Sequence, residues 1–568
     1  MNGGMDDYIK DFFDELIADT TLEKHGIAQL KLALCKKHSI KNVPTDIEML
    51  IRTPKELAEQ FRKRLQTKPN RSLSGVAPVA IMTSPAPCPH GKCTTCPGGL
   101  DSPWGDVPQS YTGAEPATMR AMRAGYDAYL QVFNRLEQYL VTGHVADKVD
   151  LIVMGGTFPA REVEYQDEFI MYAFKAMNDF SETFFEKNGH FRLEKFKVFF
   201  ELPGEVGNEK RTKRIQAKIR ELKGTSTLAV EQERNETAVI RCIGLTIETR
   251  PDYALEPHAR KMLQQGCTRV ELGVQTIYDD ALAKINRGHS VADNKKAIKV
   301  LKDFGFKLNF HMMLGLPGVD KEHDITALKE LFTDSDYQPD MLKLYPCMVL
   351  TGTKLEKDFK SGMFEPLTTD QAAKIIAEFI PLVPKYCRIM RVQRDIPTYR
   401  TLGGVGRTNL RQYVDTLMKQ QGTKSKDIRA REAGRKKPDR KPDIQTTVMP
   451  YLASGGKEFF IAIEDVANDI LYGFCRLRFP GQQLSEHFTK TTAMIRELHV
   501  YGAAVGIGED ESEATQHKGY GKQLVAKAEA IAKEHNYDKM LVISGVGVKE
   551  YYKKLGYAKE GTYVSKLL

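Results

Sequence analysis

The 568-residue sequence predicts an α/β protein of two or three domains. One hydrophobic core stops growing at roughly 250–300 residues, so a chain of this length divides into several units. Between residues 76 and 385, short β-branched runs alternate with helical stretches, as in β/α units around a parallel sheet, open or closed as a barrel. Residues 446–568 include a strand, a helix and a further strand in that order, which indicates a separate mixed α/β domain.

The individual elements follow from hydrophobic periodicity. Amphipathic helical patterns at 8–17, 27–34 and 55–65 predict a small helical domain over residues 1–75. Strands of the central domain, residues 76–385, are expected at 76–82, 149–154, 239–247, 269–275, 307–314 and 340–345. Residues 386–445 include a stretch rich in charge and proline and are expected to form a linker and basic arm before the domain at 446–568.

Composition favours a cytoplasmic enzyme with no membrane span. The nine cysteines are mostly scattered and odd in number, which fits a reducing compartment. The first ten residues are polar and acidic, and no run approaches the roughly 18 apolar residues of a spanning helix.

Basic residues are clustered, although the net charge of +9 is modest. One cluster precedes a cysteine-rich loop, and others occupy 210–223 and 424–441. Each could be a solvated helix face or a charged linker, but together they favour a polyanion such as nucleic acid. The first cluster contains Arg62, Lys63, Arg64, Lys68 and Arg71.

Three cysteines, Cys88, Cys93 and Cys96, are spaced as C-x4-C-x2-C. No fourth cysteine lies near enough in sequence to complete a four-thiolate set. A structural zinc site is normally closed by four ligands, whereas three thiolates can hold an iron–sulfur cluster with one iron open. The spacing favours a cluster; zinc with His90 or a distant cysteine as fourth ligand is the alternative.

Several predicted strands end in glycine or polar residues, where α/β sheets place their sites. Gly155, Gly156 and Thr157 follow one strand, and glycines there let a ligand approach the backbone; a plain turn is the alternative. Similar elements occur at 244–252, which includes Glu248, at 271–276, which includes Gln275, and at 311–318. A capped helix start is the simpler reading of any single one.

The third domain carries a glycine motif before an amphipathic helix at 522–535. Backbone amides at such a turn, with a lysine nearby, form a site for phosphate. Short glycine patterns also arise by chance, but strands expected at 495–501 and 539–543 flank this one. The candidate phosphate-binding residues are Lys518, Gly519, Tyr520, Gly521 and Lys522.

These motifs resemble two enzyme families. The cysteine loop is similar to that of radical S-adenosylmethionine enzymes, whose commoner spacing is C-x3-C-x2-C, and Q-x-x-G-x-G at 516–521 resembles the pyrophosphate loop of GNAT acyltransferases. The two motifs occur on one chain, and the sequences of nine segments are also similar to those of one family. The chain thus resembles the catalytic subunit of Elongator, in its archaeal and bacterial form. The segments are 68–76, 88–99, 109–116, 153–157, 244–253, 286–289, 391–397, 496–502 and 544–552.

The resemblance implies a radical S-adenosylmethionine partial barrel followed by a GNAT domain. Its cofactors would be a [4Fe–4S] cluster on the three cysteines and S-adenosylmethionine, with acetyl-CoA as co-substrate. By the same resemblance, S-adenosylmethionine is contacted by Gly155, Gly156, Thr157, Glu248 and Gln275. Acetyl-CoA is expected to pair with the strand Glu497, Leu498, His499 and Val500, to meet Tyr552 as a proton donor near its sulfur, and to involve Lys148, just before the first barrel strand.

The activity implied is carboxymethylation of carbon 5 of the wobble uridine in tRNA, with an adenosyl radical activating the acetyl methyl group. Expected partners are the tRNA anticodon stem-loop, a reductant protein and a second copy of the chain in a homodimer. A protein lysine acetyltransferase with a structural cluster, and a non-catalytic RNA-binding scaffold, are the alternatives. Zinc is doubtful, because 425–432 lacks the cysteines of some family members, and the basic segment 188–223 is either an added RNA contact or a surface insertion.

Overall fold

The computed structural model describes residues 3–68, 75–205, 207–436, 438–501 and 519–568. The N-terminal region is helical, as predicted, and its helices bury an aromatic core around Tyr8, Phe12 and Phe61. A capping box starts the third helix: the Thr45 side chain accepts from the Glu48 amide, and the Glu48 carboxylate accepts from the Thr45 amide. The four helices are α1 (Gly3–Ala18), α2 (Lys24–Lys37), α3 (Asp46–Arg52) and α4 (Ala58–Leu65).

The central region is built on seven parallel strands in the order β1-β2-β3-β4-β5-β6-β8, an open half-barrel. Helices cover its outer surface. The strands are β1 (Ala77–Met82), β2 (Lys148–Met154), β3 (Arg241–Thr249), β4 (Arg269–Gln275), β5 (Lys307–Leu314), β6 (Met341–Pro346) and β8 (Arg388–Arg391), and a separate pair is formed by β7 (Val349–Leu350) and β9 (Thr401–Gly403).

Fourteen described helices belong to this region and its extension. Most of them connect one parallel strand to the next, as β/α crossovers require. They are α5 (Pro116–Arg123), α6 (Ala128–Val141), α7 (Val163–Phe184), α8 (Leu193–Phe199), α9 (Glu209–Lys223), α10 (Leu228–Thr237), α11 (Glu256–Gln264), α12 (Asp279–Lys284), α13 (Val291–Asp303), α14 (Lys321–Thr333), α15 (Lys354–Lys360), α16 (Thr369–Phe379), α17 (Leu410–Gln420) and α18 (Ile428–Arg431).

Side chains along the strands point alternately to an apolar outer face, packed against the helices, and to a more polar inner face. In β5, Leu308, Phe310 and Met312 belong to the hydrophobic core beneath the helices. The intervening His311 and Met313 line a cavity inside the half-barrel. Because side chains of a strand alternate between two faces, the same rule places polar residues of the other strands in that cavity.

The segment 386–445 differs from the predicted linker. It contains β8, which completes the parallel sheet, together with β9, α17 and α18. Apolar side chains explain the difference, because Ile389, Leu410, Val414 and Met418 are buried in the main core. Burying these side chains favours an ordered extension of the barrel over a free linker.

The C-terminal region is a seven-stranded mixed sheet in the order β10-β11-β12-β13-β14-β16-β15. Only the β13–β14 pair is parallel. The predicted helix after the glycine motif and the two predicted strands on either side of it are present. The three strands at the start of the domain, β10 to β12, were not predicted individually. The elements are β10 (Ile444–Ala453), β11 (Gly456–Asp465), β12 (Ile470–Phe479), β13 (Thr492–Val500), α19 (Tyr520–Glu534), β14 (Lys539–Val542), α20 (Lys549–Lys553), β15 (Ala558–Glu560) and β16 (Tyr563–Leu567).

The two sheets share one hydrophobic core and a set of buried charges. Phe460 and Met494 of the C-terminal sheet belong to the same cluster as Phe304 below the half-barrel. Arg478 donates to Asp303 at 2.9 Å through its Nε, and both side chains are fully buried. Removing charges from water is expensive unless they are paired, so this contact ties the two regions together.

The part of the chain that the structure describes contains no helix long and apolar enough to cross a membrane. The domain boundaries expected at 75, 385 and 445 stay predictions.

Candidate active site

The three cysteines line a cavity of about 370 Å³ at the carboxyl ends of the barrel strands. They lie on the loop between β1 and α5. Cys96 is buried, while Cys88 and Cys93 are half-buried. The sequence prediction that these thiols share a site is consistent with this placement, and the end of the barrel is the one that α/β folds use for ligands.

Each thiol is held by a neighbouring polar group. The Cys93 Sγ lies 3.1 Å from His90 Nε2 and 3.6 Å from Arg287 Nη1. The Cys96 Sγ accepts from the Ser110 amide at 3.1 Å. Burial raises the pKa of the Cys88 and Cys96 thiols, so a bound cation is needed to hold both as thiolates at neutral pH.

The spacing of the thiols fits a cluster better than a single ion. Three thiolates on one zinc ion, at 2.3 Å each, would lie about 3.8 Å apart. Among the described residues, the only group of three or more His, Cys, Asp or Glu ligand atoms within 4.8 Å of one another is Glu248, Glu271 and His311. The three thiols are therefore too widely separated for a compact zinc site, as the ligands of a larger iron–sulfur cluster would be.

Gly155, Gly156 and Thr157 form the turn after β2, and the two glycines have different roles. Gly155 has φ +117°, and any Cβ there would collide with the Thr83 hydroxyl on the turn after β1. Gly156 and Thr157 line the cavity, and the Thr157 hydroxyl lies 3.9 Å from the Cys88 Sγ. Gly155 thus lets the turn after β2 pack closely against the turn after β1, and Gly156 exposes its backbone to the cavity.

Glu248 and Gln275, at the ends of β3 and β4, also line the cavity. The Tyr111 hydroxyl donates to the Glu248 Oε2 at 3.2 Å. Gln275 has φ +68°, which turns the chain at the strand end. The structure therefore brings five predicted cofactor positions, Gly155 to Thr157 with Glu248 and Gln275, to the same end of the barrel as the cysteines.

The sequence interpretation singled out the segments of Glu271 and His311 but missed Lys343, which lines the same cavity. Lys343 of β6 is hydrogen-bonded to Glu271 of β4, which also lies 2.8 Å from the His311 Nε2. Burial alone would raise the pKa of Glu271, but Lys343 and His311 outweigh it and hold that pKa well below its usual range. Burial and the nearby ammonium lower the pKa of His311. The alternation of Lys343 and Tyr345 in β6 was the available signal.

Lys148 lies elsewhere. It is the first residue of β2, the second barrel strand, whereas the sequence placed it just before the first strand. Its strand partner is Arg241, at the opposite end of the sheet from the cysteines. A Cβ on Gly547 of the C-terminal domain would lie 2.5 Å from the Arg241 Cβ. Lys148 therefore lies at the end of the barrel opposite the cysteines, next to a residue, Arg241, that meets the C-terminal domain.

In the C-terminal sheet, β13 and β14 diverge. They pair from Thr492 to Ile495, and β13 then continues to Val500 with no strand partner on that side among the described residues. On its other side β13 stays paired with β12. This free edge contains the predicted acetyl-CoA positions Glu497, Leu498, His499 and Val500.

The glycine motif lies at the start of α19. Gly519 caps this helix with φ +72°, and a side chain at Gly521 would collide with the Tyr551 hydroxyl. Tyr520 is buried and Lys522 is exposed; Lys518 lies outside the described residues. Tyr552, the predicted proton donor, is 5% exposed within the domain core, and burial raises its pKa. Its neighbour Tyr551 is the tyrosine whose hydroxyl meets the motif.

The basic clusters are only partly available for a polyanion. Arg64 donates to the Leu16 and Asp19 carbonyls at 2.6 and 2.8 Å and so binds the end of α1. Arg62 and Lys63 lie on the same helix, α4, and Lys68 follows it; Arg71 lies outside the described residues.

In the two other basic runs, some cations are already paired with carboxylates from elsewhere in the chain. On α9, Arg214 and Lys218 both pair with Glu201. Arg431 is buried and paired with Glu464 and Asp469. The doubt about zinc in 425–432 stays a prediction.

Four family models match the chain in order. They are the ELP3 N-terminal domain (residues 5–73), the Radical SAM superfamily (87–331), the Radical_SAM C-terminal domain (339–420) and the Acetyltransferase (GNAT) family (427–557). The third match covers β8 and α17, in agreement with their packing on the barrel.

Relatives match over nearly their full length. The tRNA uridine(34) acetyltransferase of Methanocaldococcus jannaschii is 43% identical, over 99% of this chain and 97% of the relative. Elongator complex protein 3 of Schizosaccharomyces pombe is 39% identical, over 98% and 96%. The solved structure of Methanocaldococcus infernus Elp3, with residues 1–46 deleted, has a TM-score of 0.71 at 39% identity and covers 87% of this chain and 100% of that one. The chain therefore belongs to the family of Elongator complex protein 3, enzymes that join a radical S-adenosylmethionine half-barrel to a GNAT acetyltransferase domain.

Proposed function

We propose that this enzyme modifies the wobble uridine of tRNA by adding a carboxymethyl group to carbon 5 of the base. The observation that carries the proposal is the cavity in which three widely spaced thiols meet the inward polar residues of a half-barrel that is packed on a GNAT sheet. A relative with 43% identity over 99% of this chain is named a tRNA uridine(34) acetyltransferase, which supports the choice of substrate.

Cys88, Cys93 and Cys96 would hold a [4Fe–4S] cluster, because their number and separation suit three-thiolate ligation. When bound with S-adenosylmethionine, such a cluster supplies radical chemistry able to remove hydrogen from an unactivated carbon. The contacts of the Ser110 amide with Cys96 and of Arg287 with Cys93 would orient these ligands, and Arg287 places a positive charge beside them.

The cavity walls would position S-adenosylmethionine. Gly156 exposes backbone and Thr157 a hydroxyl, while Glu248 offers a carboxylate oriented by Tyr111. Glu271 and Lys343 form a buried ion pair deeper in the cavity. Groups fixed by such pairing cannot reorganise freely, which favours one substrate orientation over others.

The GNAT domain would bind acetyl-CoA. Its pantetheine arm can pair with the free edge of β13 over Glu497 to Val500, as an added strand does. Its phosphates would meet the amides at Gly519 to Gly521, at the start of α19. Tyr551 and Tyr552 are both candidates for contact with the thioester sulfur, and Lys148 would act from the barrel end, where its strand partner Arg241 meets this domain.

The net reaction joins the acetyl methyl carbon to carbon 5 of uridine, with water cleaving the thioester to a carboxylate and free CoA. One S-adenosylmethionine would be consumed as hydrogen acceptor: one hydrogen of the acetyl methyl group ends on 5′-deoxyadenosine, and methionine is released. The hydrogen of carbon 5 leaves as a proton, and the electron that the reductant supplies for cleavage of S-adenosylmethionine is given back when the base becomes aromatic again. RNA loops present unstacked bases that can enter a pocket, whereas helices do not, so an anticodon loop suits the cavity.

The test is anaerobic reconstitution with iron and sulfide, then incubation with dithionite, S-adenosylmethionine, acetyl-CoA and unmodified tRNA, with mass spectrometry of the digested nucleosides. We expect 5-carboxymethyluridine, lost when any one of the last three reagents is omitted. A reducible cluster and bound tRNA without a new nucleoside would overturn the proposed reaction. Acetylation of peptides without reductant would instead favour a lysine acetyltransferase.

A further inference from the structure

An aromatic and cationic patch lies beside the mouth of the cavity. The Arg400 guanidinium carbon lies 4.0 Å from the centre of the Trp104 ring and 5.2 Å from that of Tyr399. The Tyr399 side chain is 75% exposed, although a ring of this size is usually at least half covered. The exposed ring is therefore a surface on which a flat ligand could stack.

The patch adjoins the cavity on both of its chain segments. Ile396 and Arg394, just before Tyr399, line the cavity, and so does Ser110, shortly after Trp104. Arg394 also donates a hydrogen bond to the Ser110 carbonyl, which ties the two segments together at the rim. A ligand stacked on Tyr399 would thus be close to one that enters the cavity.

The patch rests on a firm base. Ile396 packs with Met348 and Leu350 in a small buried cluster. The β7–β9 pair, through Leu350 and Thr401, fixes the chain after Arg400. Because hydrophobic packing and a strand pair hold its neighbours, the Tyr399 ring is presented by an ordered segment.

The charge of the patch favours an anionic ligand. Residues 391–411 contain five arginines and a single carboxylate, Asp395. Arg391 pairs with Asp395, whereas no carboxylate among the described residues pairs with Arg400. An unpaired guanidinium stacked on an aromatic ring keeps its edge available for phosphate or a base.

We propose that Tyr399, Arg400 and Trp104 form a stacking platform for an unpaired nucleobase of an RNA loop, adjacent in the chain to the base that enters the cavity. The inference rests on the proposed function for the choice of RNA. Proteins recognise single-stranded loops by stacking splayed bases on aromatic rings and arginine planes, and by phosphate contacts beside them. Aromatic rings and an arginine plane occur here together on the rim of the cavity.

The first test measures binding of an anticodon stem-loop and of a duplex RNA of equal length to the full chain with its cluster. We expect Tyr399→Ala to weaken stem-loop binding roughly tenfold and to leave duplex binding unchanged, because stacking needs an unpaired base. Tyr399→Phe keeps the ring and should bind like the parent. Equal stem-loop affinity for the parent and Tyr399→Ala would overturn the proposal, and so would an equal loss for loop and duplex.

The second test uses Trp104, the only tryptophan of the chain. Its fluorescence, excited selectively, should be quenched when the stem-loop binds and should respond less when one loop nucleotide is made abasic. Arg400→Ala should reduce the salt dependence of stem-loop binding by about one phosphate contact. Unchanged Trp104 emission at saturating stem-loop would place the RNA elsewhere.

These measurements separate the platform from the reaction. Stem-loop stacking by a protein that forms no 5-carboxymethyluridine would leave the platform standing and remove the proposed chemistry. Product formation by the parent, with stem-loop affinity unaffected by Tyr399→Ala, would do the reverse.

Discussion

Arg496 of the C-terminal sheet and Asp340, at the start of barrel strand β6, form a two-point ion pair with both side chains fully buried. The Nη1 donates to Oδ1 at 3.1 Å and the Nη2 to Oδ2 at 2.5 Å. Burial alone would raise the pKa of Asp340, but Arg496 and Lys302 hold it well below its usual range. The pair links the half-barrel to the GNAT sheet.

Breaking this link should destabilise the whole chain. Arg496→Met leaves Asp340 buried without its main partner, a change that typically costs about 3–5 kcal/mol. Lys374→Met is the matched control, because the Lys374–Asp370 pair is mostly exposed and worth about 0–1 kcal/mol. Urea unfolding followed by circular dichroism measures both variants. An Arg496→Met midpoint equal to that of the control would contradict the assigned role.

Each cysteine of the loop should be required for iron. Cys88→Ala, Cys93→Ala and Cys96→Ala are expected to lose bound iron and 5′-deoxyadenosine formation while keeping stem-loop binding. Cys35→Ala changes a thiol in the N-terminal helical core and serves as control. Iron and sulfide analysis with quantified 5′-deoxyadenosine gives the result. Undiminished production by all three variants would refute the cluster assignment, and stoichiometric zinc in place of iron would favour the structural alternative.

Gly521 should be needed for acetyl-CoA. Gly521→Ala forces the new Cβ against the Tyr551 hydroxyl at the start of α19, so we expect acetyl-CoA to bind at least about tenfold more weakly, or about 1.4 kcal/mol. Gly406→Ala is the control, because a Cβ there has open space. Calorimetric titration with acetyl-CoA measures the affinity, and the iron content of the variant should be unaffected. Equal affinity for the two variants would argue against phosphate binding at this turn.

Asp324 should make stability depend on pH. It accepts from the Gly315 amide at 2.8 Å, and burial raises its pKa to about 7. Because the folded-state pKa is above the unfolded value, its stabilisation is full below about pH 4 and is lost as the pH rises through about 7. The change is of the order of 4 kcal/mol.

Asp324→Asn keeps an acceptor for the Gly315 amide and removes the titration. Urea titration at pH 5 and pH 8 measures the free energy of unfolding of parent and variant. Between these pH values, the free energy of unfolding of the parent should therefore fall relative to that of the variant. A difference that is constant across this range would show that Asp324 does not titrate there.

The sequence predicted the fold where local pattern decides it. The β5 prediction, 307–314, agrees with Lys307–Leu314 because its alternating apolar residues meet helices on one side. The strand β8 was missed because Arg388–Arg391 is four residues long with arginine at both ends. Its pairing with β6 is a tertiary effect that short-range pattern does not contain.

The site was predictable only in part, for a similar reason. The three cysteines and the Gly-Gly-Thr turn are short motifs of contiguous or closely spaced residues, so the sequence alone was enough to assign them to one site. Lys343 becomes a cavity residue only because β6 lies next to β5 and near Glu271 of β4. Arg476 and Arg478 lie in a strand where alternating charges would indicate solvent, yet both are fully buried against distant carboxylates.

The parallel sheet is not closed: β1 and β8 are its two ends and do not pair with each other. A complete ring of strands would admit a substrate only along its axis, which limits the substrate to small molecules or free ends. A sheet with two unjoined margins does not impose that limit, and Tyr111 and Arg394, from the segments beside its margins, are among the cavity residues. A single unit of a long folded polymer can therefore be presented sideways, with the chain continuous on either side of the unit that reacts.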